Sequence, residues 1–133
     1  MSAGTFDILI PFVEHLGIRL LEKGGGRVLI RLDPLPEHLN SWQGVHGGVL
    51  MTMLDVALSS ASRSLDAACI GATTVELKVN FLGRAMGSIF GEGRAQRTGR
   101  SLIFSEGELK DEAGLLLAKA SGTFKLVYPS QTE

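Results

Sequence analysis

The chain has 133 residues, of which 44% are hydrophobic and 20% charged. That length points to one domain, and that much apolar material supports a packed core rather than a disordered segment. Thirteen Lys and Arg against fourteen Asp and Glu leave a formal net charge of −1, so no basic surface for nucleic acid is expected. One cysteine, Cys69, excludes an intrachain disulfide framework and fits a reducing compartment; with three scattered histidines it makes no structural zinc site. Residues 1–5 carry no basic n-region, so no secretory leader is expected. The most apolar run, residues 47–58, is broken by Thr52 and Asp55 and falls short of the ~20 residues that cross a bilayer. These features predict a small, soluble, cytoplasmic protein without metal, nucleic-acid or membrane partners.

Pro11-Phe12-Val13-Glu14-His15-Leu16 followed by Gly17 predicts a short helix, proline at its start and glycine just past its end. Gly24-Gly25-Gly26 separates two strands at residues 18–21 and 28–32; in the second, Val28, Ile30 and Leu32 alternate with Leu29 and Arg31. Residues 33–44 hold two prolines, Asn40 and Ser41, a loop with room for one helical turn.

From His46 to about Arg63 there is no proline and no glycine after Gly48, which predicts a long helix. At ~100° per residue Thr52, Asp55, Ser59, Ser62 and Arg63 share one arc roughly 100° wide, and the remaining circumference is largely apolar. A helix of that kind must be covered on most sides. The downstream half supplies the cover. Val75, Leu77, Val79 and Phe81 alternate with Thr74, Glu76, Lys78 and Asn80, predicting a strand with one buried face. Residues 88–97, 101–110 and 115–127 follow as three more strands, joined at Thr98-Gly99-Arg100 and Asp111-Glu112-Ala113-Gly114 as in an antiparallel meander. Gly91, Gly93, Gly107 and Gly122 inside these strands permit close approach of a neighbouring backbone. The fold class so predicted is α+β, a long central helix wrapped by a curved antiparallel sheet of five to six strands.

No Gly-x-Ser-x-Gly elbow or phosphate-binding P-loop occurs, and Gly91-Glu92-Gly93 lacks the third glycine of a dinucleotide fingerprint. Cys69 reads as packing. What remains is His46-Gly47-Gly48 at the start of the long helix, where the first N–H groups lack intrahelical partners and carry partial positive charge. An oxyanion can approach glycine amides without obstruction; the plainer reading is that the glycines only seat the helix close to the sheet. Asp55 lies nine residues beyond His46, ~13 Å along a helix axis and outside the ~3 Å reach of a general base. If both act on one carbonyl, they come from two subunits, as in a two-fold dimer with antiparallel central helices. Otherwise Asp55 belongs to a solvated polar stripe.

The run Asn40-Ser41-Trp42-Gln43-Gly44-Val45-His46-Gly47-Gly48, with Asp55 in Leu54-Asp55-Val56-Ala57, resembles the hot-dog-fold acyl-CoA thioesterases of the phenylacetate-degradation (PaaI-like) type, in the 4-hydroxybenzoyl-CoA thioesterase superfamily. Thr74-Val75-Glu76-Leu77-Lys78-Val79-Asn80-Phe81-Leu82 and Ala118-Lys119-Ala120-Ser121-Gly122-Thr123-Phe124 resemble the same family, so the likeness covers a single domain from about Phe12 to Val127. The resemblance implies hydrolysis of an aryl- or medium-chain acyl-CoA. It assigns carbonyl polarisation to the Gly47 amide at the helix tip with Gly48 beside it, assistance to Asn40, the base or nucleophile to Asp55 of the partner subunit, and water-holding to Thr74. His46 would orient the turn. It further implies a homodimer or homotetramer, and no cofactor beyond the coenzyme A of the substrate. Arg84, Arg100 and Ser101 are the candidates to meet the CoA phosphates. Phe12, Leu50, Met51 and Leu54 are candidates to shape the acyl pocket.

Two alternatives accompany this reading. Asp33-Pro34-Leu35-Pro36-Glu37-His38 has the Asp-x-x-Pro-x-His spacing of MaoC-like enoyl-CoA hydratases. That family has Gly before the Asp and Asn between it and the Pro, where this chain has Leu32 and Leu35. Asp33 is therefore expected to end a strand and His38 to stand exposed in a loop. A non-catalytic acyl-CoA-binding module of the same fold is the other alternative.

Overall fold

This computed structural model describes residues 8–97 and 99–129; residues 1–5, read above for a leader, and Thr98 of the first meander turn lie outside them. Helix α1 (Pro11–Leu16) begins on its proline and closes at Gly17, whose φ of +80° brings its N–H back to the carbonyls of Val13 and Glu14. Strands β1 (Arg19–Gly24) and β2 (Arg27–Leu32) form an antiparallel hairpin turned by Gly25 and Gly26. Val28, Ile30 and Leu32 are its buried face, as their alternation predicts. A single 3₁₀ turn, Pro36–His38, interrupts the following loop before helix α2 (Gly47–Arg63). Strands β3 (Gly71–Phe81), β4 (Ile89–Arg97), β5 (Leu102–Asp111) and β6 (Leu116–Val127) complete the order.

The strands form one six-stranded antiparallel sheet in the order β1-β2-β4-β5-β6-β3. Strands β4, β5 and β6 are the predicted meander, while β3 pairs with β6 and becomes an edge. Helix α2 lies against all six strands. Its Met53, Leu54, Ala57, Leu58 and Ala61 are fully buried, in one core with Ile30, Ile89, Ile103, Leu109 and Phe124. The helix reaches the sheet through glycine. Gly93 and Gly107 are directly paired across β4 and β5. A β-carbon on Gly93 would stand 2.5 Å from the Ala57 carbonyl oxygen, and one on Gly107 would run into the Glu92 carbonyl and the Leu58 side chain. Backbone packs on backbone at this point.

Two expectations from the sequence are corrected. Strand β3 does not have a buried face: Val75 is 60% and Phe81 54% exposed, while Leu77 and Val79 are half-buried. Its register slips between Thr74 and Glu76, a bulge that breaks the period of two, and only one of its edges is paired. The polar arc of α2 also ends sooner than its spacing implies, because Ser62 and Arg63 are buried along with Ser60. Ser62 Oγ donates to the Leu58 carbonyl and shares a 2.8 Å hydrogen bond with Ser105 Oγ of β5. The solvent-facing part of the stripe is thus Thr52, Asp55 and Ser59.

Beyond the C-terminal end of α2, Asp66 accepts hydrogen bonds from the Tyr128 hydroxyl at 2.6 Å and the Ala68 N–H at 2.9 Å, with Arg97 at 3.6 Å. The Tyr128 hydroxyl above all, then the Ala68 amide, holds the Asp66 carboxyl below the usual carboxylate range. A carboxyl depressed by folding stabilises above its unfolded pKa, and that contribution disappears as pH falls through the folded value. Asp66→Asn is therefore expected to lower stability at neutral pH and to converge on the wild type in acid, which urea titrations at a series of pH values would read directly. Gly93→Ala is expected to cost about 1–3 kcal/mol by overpacking α2 against β4. The same change at Gly87, where a β-carbon meets nothing within 4 Å, should leave the urea midpoint nearly unmoved.

Candidate active site

The tip of α2 leaves one amide open. His46 is the N-cap, and its Nδ1 accepts the Gly48 N–H at 2.8 Å. The His46 carbonyl accepts from Val49 and Leu50. Among the described residues only the Gly47 N–H of these four has no acceptor, and it sits where the helix dipole is positive. Of the two glycine amides that the sequence offers, Gly47 is thus available to a ligand and Gly48 is committed to His46. The Phe81 ring, from the end of β3, flanks Gly47 at van der Waals range.

The segment entering the helix is held from both sides. Leu39 and Val45 form an isolated antiparallel bridge, the His46 N–H donates to the His38 carbonyl, and the Val45 N–H donates to the Ala85 carbonyl. Within the tight loop between them, Asn40 Oδ1 accepts from the Trp42 and Gly44 amides at 2.8 and 3.1 Å. Gln43 takes a left-handed φ of +67° to close it. The Asn40 oxygen is therefore occupied by its own loop, and its side-chain NH₂ has no acceptor among the described residues. Arg84 reaches into the same loop, donating to the Trp42 carbonyl with its guanidinium across Gly44.

Eight residues on, ~12 Å along the axis of an unbroken helix, Asp55 stands half-buried on the flank of α2. Thr74 of β3 donates its hydroxyl to Asp55 Oδ1 at 2.6 Å, anchoring the carboxylate, and Oδ2 has no hydrogen bond among the described residues. Asp55 lies in the wall of a groove of about 370 Å³ between α1, α2 and the start of β3. Of the four acyl-pocket candidates, Phe12 and Met51 line this groove, whereas Leu50 and Leu54 turn inward and are buried in the core. Ile10, Val13, Val56, Ser59 and Ala72 also line it and are not marked by any motif. The one usable signal is that Ser59 follows Asp55 at helical spacing of four; the part from α1 depends on tertiary packing alone.

The remaining candidates lie elsewhere. Arg100 is exposed and Ser101 half-buried in the turn after β4, and the Ser101 carbonyl accepts from Leu126. Arg97, three residues earlier, contacts Asp66 and Tyr128 beyond the far end of α2, so Arg84 and Arg100 sit near opposite ends of a helix ~24 Å long. One chain does not bring them together. The hydratase-like pair is corrected in part. His38 is buried rather than exposed, its Nδ1 accepting the Leu35 N–H at 3.0 Å. Asp33 does end its strand, accepting from Arg19, Arg31 and Ser88. Its carboxyl lies below the usual range because of the Ser88 hydroxyl first and Arg31 second. Both groups are engaged in holding loops. Cys69 is half-buried, with Sγ 3.6 Å from the Arg63 carbonyl.

The central helix and the curved sheet are shared with known proteins. The profile of the thioesterase superfamily matches residues 43–118, more than half of the chain and the whole stretch from the Asn40 loop's end through α2 to β6. The chain belongs to this superfamily and has its hot-dog fold, which supports a hydrolase acting on thioesters. A candidate esterase of Saccharolobus solfataricus is 32% identical over 116 residues, covering 86% of this chain and 81% of that one. The Escherichia coli PaaI protein of the phenylacetic acid degradation operon superposes with a TM-score of 0.80 at 19% identity, over 87% of this chain and 83% of its own. A Streptococcus mutans protein solved with acetyl-CoA gives 0.80 at 20% identity, over 93% and 96%. These two likenesses show the fold; they do not single out the PaaI-like branch.

The cap at the helix tip has a measurable weight. His46→Ala removes the acceptor of the Gly48 N–H and is expected to cost about 1 kcal/mol, as loss of an N-cap does. The shift in urea midpoint at unchanged m-value reads it.

Proposed function

We propose that this protein is a cytoplasmic acyl-CoA thioesterase that hydrolyses aryl- or medium-chain acyl-CoA to the free acid and CoA, in a site shared between two copies of the chain. The observation that carries this reading is the pairing of Thr74 with Asp55: a carboxylate held at one oxygen and open at the other, on a helix flank ~12 Å from its own helix tip. A carboxylate so placed acts on a carbonyl bound at Gly47 only if that carbonyl is bound by another subunit. A two-fold dimer with antiparallel α2 helices provides such a partner twice. The exposed β3 edge, with Val75 and Phe81 uncovered, supplies an apolar face on that side.

In the proposed reaction the thioester oxygen accepts the Gly47 N–H, with the Asn40 NH₂ nearby as second donor. Asp55 of the partner subunit takes a proton from water while the water oxygen bonds to the carbonyl carbon. The carbonyl electron pair moves onto the oxygen, where the helix tip stabilises the charge. Collapse of this intermediate breaks the carbon–sulfur bond, and CoA leaves as thiolate. Thiolate is a good leaving group, so no acid is needed at sulfur. Direct attack by Asp55 reaches the same products through a mixed anhydride, which water then opens. The Streptococcus mutans protein with acetyl-CoA and the esterase relative support the substrate class. Arg84, Arg100 and Ser101 are retained for the CoA phosphates, the first from one subunit and the other two from its partner. No cofactor enters the scheme, and the assembly is a homodimer or a pair of them.

Asp55→Asn is expected to keep the fold, since Asn preserves an acceptor for Thr74, and to reduce kcat at least about a hundredfold. Thiol release from a panel of aryl- and alkyl-CoA thioesters provides the measurement. Near-wild-type kcat in the variant removes Asp55 from the role, and binding without thiol release by the wild type replaces the hydrolase with an acyl-CoA-binding module.

A further inference from the structure

The groove beside Asp55 has a composition that selects what enters it. Its apolar walls are Ile10, Phe12 and Val13 from α1 and the residue before it, Met51 and Val56 from α2, and Ala72 from β3. Val13 and Val56 are buried, whereas Phe12 is 56% and Met51 47% exposed at the rim. Three polar groups share the wall. The Thr52 hydroxyl donates to the Gly48 carbonyl at 2.8 Å and the Ser59 hydroxyl to the Val56 carbonyl at 3.3 Å, so both protons are committed within α2. Among the described residues Asp55 is the one ionisable group in the lining, and no Lys or Arg takes part.

Resting on the thioester-hydrolase reading above, we infer that this groove is the acyl subsite and that α1, through Phe12, forms its outer wall. It selects neutral apolar acyl groups against acyl groups that carry a carboxylate. The pantetheine arm is a poor occupant, because its amide carbonyls would find no donor here and an unpaired buried carbonyl is costly. A second carboxylate is a worse one, since it would lose water beside Asp55 with no cation to meet it. An apolar cavity of ~150 Å³ suffices for a benzene ring, so the groove's 370 Å³ admits a ring with its methylene, or a medium alkyl chain. With the reacting carbon at Asp55, the two-carbon acyl group of acetyl-CoA stops short of the rim. Longer acyl groups meet Phe12.

The experiment compares acetyl-, hexanoyl-, phenylacetyl- and succinyl-CoA as substrates of the wild type and of Phe12→Ala, a change at an exposed position whose Tm is recorded alongside. Hexanoyl- and phenylacetyl-CoA are expected to exceed succinyl-CoA in kcat/KM by about a hundredfold. Phe12→Ala is expected to lower kcat/KM for phenylacetyl-CoA about tenfold, through KM, and to leave acetyl-CoA within about twofold. Succinyl-CoA turned over as well as hexanoyl-CoA, or equal losses on acetyl and phenylacetyl substrates, overturns the subsite while the hydrolase reading stands. No turnover of any of the four by the wild type removes both.

Discussion

The Ala57 carbonyl of α2 occupies the space that a side chain on Gly93 would need, and the glycine directly across the sheet, Gly107, is equally closed to one. At that contact the helix comes down on the sheet peptide to peptide, nearer than two layers of side chains allow. Asp55 lies two positions before Ala57 on the same helix, with its Oδ1 2.6 Å from the Thr74 hydroxyl on the edge strand. The carboxylate therefore stands on a helix seated on the sheet at glycines of β4 and β5 that lie outside the groove Asp55 lines.

The candidate site divides its chemistry between a helix tip and a helix flank. At the tip, His46 uses both its side chain and its carbonyl on the first turn, so the positive end of α2 presents a single unclaimed N–H rather than a cluster. At the flank, the Thr74 hydroxyl anchors one of the two carboxylate oxygens. The helix keeps the two halves apart. A rigid rod that separates two complementary groups by more than bonding distance makes association of subunits part of the chemistry.

The sequence was most informative where periodicity and punctuation agreed. The long helix, the glycine-turned hairpin and the three-strand meander all follow from periodicity bounded by glycine or proline; Gly93, Gly107 and Gly122 do mark close backbone approach, whereas Gly91 makes room for the Ile30 and Leu109 side chains. It misled where tertiary context overrode a clean pattern. The alternation of Val75, Leu77, Val79 and Phe81 is real, but a bulge and an unpaired edge leave much of it uncovered. Ser62 and Arg63 sit at polar spacing on α2, yet the sheet closes over that end of the helix. His38 looked like a loop residue because its neighbours are prolines and acids, whereas its ring is drawn inside to bond the Leu35 amide. In the site, Asn40, Gly47 and Asp55 were legible because their motif is local. The groove was not: α1 and β3 are some sixty residues apart in the chain, and nothing in either short segment signals the other.

The Ser62–Ser105 hydrogen bond lies in the middle of an otherwise apolar contact between α2 and β5. Aliphatic side chains tolerate sliding past one another, whereas a buried hydroxyl accepts few positions, since moving it by a turn strands two polar groups without water. This pair therefore works as an index mark for the rod. It favours a single longitudinal setting of α2 against β5.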